Sequence, residues 1–470
     1  MARTRVKKGE PAGWRKYATL AAVVSLLAAG TWAYSNSFDG VLVFDDLISI
    51  TANPHIRSLS PLSSSLSAPR DVTVAGRPTA AFTLALNYAL APADTRDALT
   101  PPGPGAPPED AERFLRNIWG YHALNLAVHL LAGLALFGVV RRSLRAPALR
   151  ERFGEGSTPL AWLITLVWLL HPVHTEAVTY IVQRVESLMG LFLLLTLYCA
   201  IRAVEPGRRS PWWAAVSVLS CAIGMGAKET MVTAPLLIVL WDHLLGRGRD
   251  AGPERGPWWR VRWPLYAGLA ATWVVLAVLV AGNPRSGSAG FGLGNWTWWS
   301  YLRTQAGVVV HYLRLAAVPW PLVFDYGWPR AVSWSSVVPH ALLLVGLLAL
   351  TVLAVLRRHP AGFAGAWWFV ILAPTSSILP IPTEVAAEHR MSLPVAAVVA
   401  LAVLAIYGFV RHRQRARALP LAVVLFVGLA VASAFGIRDR ADAIADVLVG
   451  RGGQQPGRPA EYRHVVGQAA

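Results

Sequence analysis

Cysteine is nearly missing from this chain. Of 470 residues only Cys199 and Cys221 are cysteines, and both fall inside apolar segments. A disulfide framework and a cysteine metal site are thereby excluded. Charge is scarce as well, at 15% of residues against 54% hydrophobic, and carboxylates are mostly kept out of the apolar stretches. No internal repeat is present, so a solenoid is not expected. A soluble protein of this length could bury a core without repeated uncharged apolar runs of about 20 residues. The runs are too numerous for a cleaved signal peptide, and the first lacks a convincing small-residue cleavage site. The sequence therefore predicts an all-α polytopic membrane protein.

The formal charge of +17 does not point to nucleic acid, because the basic residues cluster in short loops between apolar runs. Those runs lie near 17–37, 118–140, 158–175, 177–200, 211–226, 230–245, 264–282, 338–356, 361–381, 393–410 and 418–436, with a weaker one near 303–320. The basic loops hold Arg3 to Lys16, Arg141 to Arg150, Arg202 to Arg209, Arg247 to Arg262, Arg357-Arg358 and Arg411 to Arg417. Positive loops stay cytoplasmic. If 303–320 spanned, the last two clusters would land outside; as a helix lying on the outer face it keeps every cluster inside. Arg303, His311 and Arg314 also make it a poor span. The expectation is about 11 transmembrane helices in the cell membrane (plasma or inner), N-terminus cytoplasmic and C-terminus outside. Trp298-Trp299 and Trp320 fit an outer aromatic belt.

The polar residues then segregate to one side, which predicts an outward-facing site. The first outer loop, 37–117, opens with Asp45-Asp46 and continues through Asn53-Pro54 and a Ser/Pro-rich stretch to Arg77-Pro78. Ala80 to Leu90 is apolar but too short to span, and reads as an interfacial or re-entrant helix. A Pro-rich surface insertion, Ala91 to Pro108, follows. The second long outer segment, 283–336, carries aromatics and Asp325-Tyr326. The membrane domain is taken as 1–437, and 438–470 as a short outer tail.

Adjacent carboxylates at a membrane surface are costly, and so are candidates for function; the plain alternative is a solvated loop pair. His122, Asn125 and His129 share one helical face, and either line a cavity or glue helices together. His171, His174 and Glu176 lie close enough to bind a divalent metal, although their spacing matches no standard zinc pattern. A helix cap explains the same residues. Arg184, inside an otherwise apolar helix, calls for an anionic partner; Glu186 points elsewhere. At Lys228-Glu229 the acid suits a helix start and the lysine does not. A phosphate or a simple ion pair would explain that lysine.

Taken in order, these motifs resemble a family. Phe44-Asp45-Asp46 with Asn53-Pro54, Arg77-Pro78, His122…Asn125…His129, and His171-Pro172-Val173-His174-Thr175-Glu176-Ala177-Val178 come first. Gln183-Arg184-Val185-Glu186, Lys228-Glu229 and Glu388-His389-Arg390-Met391-Ser392-Leu393-Pro394 complete the set. The whole is similar to the transmembrane and tetratricopeptide-repeat-containing O-mannosyltransferases, a branch of the GT-C glycosyltransferases. The chain departs from that family at Glu388-His389-Arg390, where Glu-Arg-Tyr is usual, and at Gln183, where glycine is common. Its tail of about 33 residues matches one repeat in length, whereas the family carries a tandem array.

The resemblance implies a GT-C-like bundle and a polyprenyl-phosphate sugar donor, with mannose as the sugar, in the outer leaflet. It implies transfer to a protein or glycan hydroxyl by a single inverting displacement. Asp45 or Asp46 would then be the catalytic base. Arg184, Lys228, His389 and Arg390 would face the donor phosphate. His122, Asn125, His171, His174, Glu176, Glu186, Glu229 and Glu388 would position the groups. No metal ligand is assigned, and a divalent cation stays open. Partners are the lipid-linked donor, the acceptor and membrane lipids, with no nucleic acid. The alternative is a transporter or flippase for an anionic lipid-linked substrate, but that class keeps its ionisable groups near the midplane.

Overall fold

The computed structural model describes residues 12–70, 72–99, 118–205, 211–247, 258–282, 296–378, 380–412 and 418–448. Residues 1–11 of the expected N-terminal basic segment, the second half of the Pro-rich insertion (100–108) and the end of the tail (449–470) lie outside the described residues. Among the described residues the regular structure is helical throughout. The longer helices are α1 (Ala12–Ala33), α2 (Pro78–Leu90), α3 (Trp119–Ser143), α4 (Ser157–Leu169), α5 (Arg184–Val204), α6 (Pro211–Met225) and α7 (Ala234–Trp241). They continue with α8 (Trp258–Gly282), α9 (Trp298–Ala317), α10 (Trp334–Leu356), α11 (Ala361–Ala373), α12 (Val395–His412) and α13 (Ala418–Leu448).

Each of the 11 expected apolar segments contains a helix. Six helices among the described residues are long and apolar enough to cross a membrane, so the chain is an integral membrane protein. Other segments are broken where the sequence breaks them. α4 stops at Leu169, just before His171-Pro172, because the proline cannot continue the hydrogen-bond ladder of the preceding turn. The 230–245 run becomes a tight turn (Glu229–Thr233), the short α7 and a wide turn (Asp242–Gly246). α10 buries only Val337, as befits a helix whose apolar surface faces lipid.

α9 is the weak segment. Thr297 and Ser300 form a reciprocal cap at its start, with N···O distances of 3.0 and 3.1 Å. It buries one face through Tyr301, Thr304, Gln305, Val308, Tyr312 and Leu315, the pattern of an amphipathic helix, and it is not among the six span candidates. α2 begins with Pro78 at its first turn, where the missing N–H costs nothing. α13 runs on to Leu448, so residues 438–448 of the expected tail are helical.

The core gathers around α3, α4 and α5, with α1, α12 and α13 against α4 and α6 against α5. Two tryptophans fix the segment that precedes α12. Trp168 donates its indole N–H to the Ser392 carbonyl (2.8 Å), and Trp367 donates to Leu393 (2.8 Å). From α9, Gln305 donates to the Val385 carbonyl (2.8 Å) and the Tyr312 hydroxyl accepts from the Ala387 N–H (2.8 Å). Residues 385–393 are thereby clamped between α4, α9 and α11.

Candidate active site

The two aspartates have different surroundings. Phe44 adopts a left-handed conformation (φ 41°), which costs on the order of 1–3 kcal/mol for a non-glycine residue. This turn leaves Asp45 exposed and Asp46 fully buried. Asp46 accepts from the N–H of Val182 (2.7 Å) and of Val43 (3.1 Å), bolting the loop to the turn before α5. Burial pushes its carboxyl up to about 8, against the pull of those backbone donors. Asp45 accepts from the Thr73 hydroxyl at 2.5 Å, and its N–H donates to the Tyr180 hydroxyl (2.9 Å).

α5 starts inside protein, and its broken approach needs partners. Asn125 meets that need, donating to the carbonyls of Val178 (3.1 Å) and Ile181 (3.3 Å). Its own carbonyl accepts from Arg184 Nε at 2.6 Å. Arg184 also donates to the carbonyls of Tyr121 (2.9 Å) and Thr83 (3.2 Å). The anionic partner expected for this arginine is thus replaced by neutral carbonyl oxygens, which tie α2, α3 and α5 together.

A second cluster lies on the clamped segment. His389 shares a hydrogen bond with Glu176 through Nδ1 (2.7 Å) and donates its backbone N–H to the same carboxyl (3.0 Å). Burial pushes Glu176 up to about 7 and His389 down to about 4, both toward their neutral forms. Burial therefore disfavours a full ion pair between them. Glu384, at the rim and 39% exposed, lies 3.7 Å from His389 Nε2 and 3.3 Å from Arg390. Glu388 accepts from the Val323 N–H (2.6 Å), the Tyr326 hydroxyl (2.8 Å) and Arg440 (2.5 Å).

The two clusters adjoin. Phe324 stacks on Phe44 with ring centroids 5.0 Å apart and packs against Tyr180 at 5.2 Å. Beyond burial, the carboxylates of Asp46, Asp45 and Glu384 all raise the Tyr180 hydroxyl above its usual range. Behind them, Lys228 forms a buried ion pair with Glu186, and Arg77 pairs with Glu229 at 2.9 Å. Arg77 also donates to the Thr73 carbonyl (3.1 Å), so that pair braces the threonine that binds Asp45.

Sequence reasoning singled out most of these residues, Tyr180 among them as part of one face with Glu176, Gln183 and Arg184, but not Arg440 or Thr73. Arg440 lies in the expected tail and Thr73 in a loop, where spacing carries no signal. The histidines divide. His129 bonds the Leu169 carbonyl (3.1 Å), His171 the Ala316 carbonyl (3.3 Å) and His174 the Ser392 hydroxyl (3.2 Å). These are buried packing positions, as is His122 beside Gly40. The trio among the described residues whose ligand atoms approach one another closely enough for a cation is Glu176, Glu384 and His389, all within 4.8 Å. Only Glu176 of the expected His171, His174 and Glu176 belongs to it.

Fold and site together define a helical integral membrane protein with a buried, charge-rich constellation beside a loop carboxylate. No family model matches the chain. It is similar to protein O-mannosyl-transferase TMTC4 of Mus musculus, 29% identical over 253 residues, covering 50% of this chain and 30% of that protein. It is also similar to protein O-mannosyl-transferase Tmtc2 of Drosophila melanogaster, 26% identical over 339 residues, covering 64% of this chain and 30% of that protein. These names are those of the family that the motifs resemble, and the chain spans about 30% of the length of these relatives. Among solved structures, the crystal structure of ArnT from Cupriavidus metallidurans bound to undecaprenyl phosphate has a TM-score of 0.44 and 16% identity. It covers 94% of this chain and 72% of that one.

Proposed function

We propose that this protein is a membrane glycosyltransferase that moves a sugar, mannose by its relatives' names, from a polyprenyl-phosphate donor to an acceptor hydroxyl on the outer face. The observation that carries the reading is the split within the acidic pair. Asp46 is consumed in holding the loop, while Asp45 stays exposed, oriented by Thr73 and beside the Tyr180 hydroxyl. In the proposed step the acceptor hydroxyl attacks the anomeric carbon and its proton passes to Asp45. The new oxygen–carbon bond forms as the bond to the donor phosphate breaks, and the lipid phosphate leaves with its added negative charge. The acceptor is a protein Ser or Thr, or a glycan.

The donor phosphate is assigned to the rim at Glu384. This carboxylate is the partly exposed partner of Arg390, and an arriving phosphate would take its place against the guanidinium while His389 donates a hydrogen bond. Lys228 lies deeper, paired with Glu186 behind His389, and Arg184 braces α2, α3 and α5 through carbonyl oxygens. Labelled polyprenyl-phosphate mannose, given to membranes containing the protein, should yield labelled acceptor; no transfer above empty membranes would remove the reading. In the same assay Arg390→Ala should raise the donor concentration needed by roughly 10- to 150-fold, the value of one charge-assisted contact. An unchanged donor dependence would take Arg390 out of the site.

The orientation follows from the basic loops: N-terminus cytoplasmic, Asp45 outside, with about 11 crossings. A reporter active only outside the cytoplasm should work when fused at Gly40 and be silent at Leu144. Activity at Leu144 would overturn this arrangement.

A further inference from the structure

At the other end of α3 from Asn125 lie two adjoining cavities that the reaction does not use. One, of about 350 Å³, is lined by Arg141, Arg142, Arg145, Glu205 and Trp241 among others. The second, of about 420 Å³, shares Arg141 and Arg142; apart from Thr19 and Tyr198 the rest of its wall is apolar, with Leu131, Leu134, Phe137 and Leu195. Leu131 is 52% exposed on a helix long and apolar enough to span, so this groove opens sideways toward lipid. At 1.5 Å per residue, Arg141 stands ~28 Å along α3 from His122, about one hydrocarbon thickness. The cavities therefore sit at the opposite membrane boundary from Asp45.

Among the described residues the charges there do not balance. Three arginines line the first cavity with one carboxylate, Glu205. Arg142 takes that carboxylate at 3.0 Å, and Arg202 shares it at 3.7 Å. Arg145 donates to the hydroxyls of Ser157 (2.6 Å) and Thr158 (3.3 Å). Arg141 lines both cavities, and its Nε is buried without a hydrogen-bond partner. It forms no ion pair among the described residues. The aromatic wall is built to hold this shape. A Cβ at position 138 would meet the Tyr198 ring at 2.5 Å, so Gly138 is what lets that ring lie against α3. Arg142 stacks over the same ring at 4.6 Å.

We infer that these cavities form a binding site for an anionic phospholipid of the inner leaflet, with its phosphate on Arg141 and an acyl chain along the Leu131–Leu134–Leu195 groove. Basic pockets between spanning helices on the cytoplasmic side suit such headgroups. A free phosphate would leave the groove unused, and a zwitterionic lipid would leave the unpaired guanidinium facing its own cation.

The test uses the full chain purified in detergent, with lipid retention read by intact-complex mass spectrometry. Phosphatidylglycerol should be retained at least about tenfold better than phosphatidylcholine, and Arg141→Gln should lose about that factor. Leu134→Trp, which fills the groove and spares every charge, should lose retention as well. Arg411→Gln removes an arginine from the last turn of α12, outside both cavities, and should change nothing. Equal retention of the two lipids, or parent-like retention by Leu134→Trp, overturns the proposal whether or not Arg141→Gln folds. Displacement of the phospholipid by millimolar inorganic phosphate would show a simple anion site and overturn it too.

Discussion

Asp45→Asn is expected to lower sugar transfer by roughly 10²-fold or more, the scale of losing a general base, with yield and thermal stability unchanged. The amide keeps the size of the side chain and can still accept from Thr73, but it cannot take the hydroxyl proton. Asp46→Asn should behave in the opposite way. Its two carboxyl oxygens accept the N–H groups of Val182 and Val43, and an amide presents one oxygen and one NH₂. One buried donor would then face another, which costs about 1–3 kcal/mol. The second variant should melt earlier and lose activity in proportion to the folded protein lost. The measurement is transfer rate per folded molecule alongside a melting curve for both proteins. Parent-like rates for Asp45→Asn, or a clean loss of rate without destabilisation in Asp46→Asn, would reverse the assignment.

The second large effect concerns folding. Glu186→Ala should destabilise the protein by about 3–5 kcal/mol, since it strands the buried ammonium of Lys228 without a counter-charge. The double variant Glu186→Leu with Lys228→Met removes both charges and should recover most of the lost thermal stability. Transfer would still separate the roles. If Lys228 also meets the donor phosphate, the double variant will be stable yet need more donor; if it is only a brace, donor dependence will match the parent. A single Glu186→Ala variant as stable as the parent would show that the pair is not formed.

The buried Glu176–His389 pair bears on the same question. Burial disfavours charge on the imidazole, whereas Arg390 brings a guanidinium to this rim. The shift of the basic residue by one position, from the usual Glu-Arg-Tyr to Glu388-His389-Arg390, thus leaves a guanidinium in the cluster. Arg390 donates to the Glu384 and Val385 carbonyls as well as to the Glu384 carboxylate, so its planar head is held in place before any ligand arrives.

By itself the sequence determined that the chain is a helical membrane protein, where its apolar segments lie, and that segment 303–320 differs from them. Uncharged runs of spanning length have few other uses in water, and α9 betrays itself through Arg303, His311 and Arg314, which cannot face lipid. Motif order also brought most of the constellation to light, because buried charge in an apolar chain is costly enough to be informative. The tertiary structure decided what each charge does. Adjacent residues in a loop cannot be ranked by spacing, and only the left-handed turn at Phe44 sends Asp45 to solvent and Asp46 to the core. Pairings across distant segments, Lys228 with Glu186, Arg77 with Glu229, Glu388 with Arg440, have no period to read. The partner of Arg184 was beyond sequence for the same reason. Carbonyl oxygens belong to every residue, so only packing reveals which of them a buried guanidinium will find.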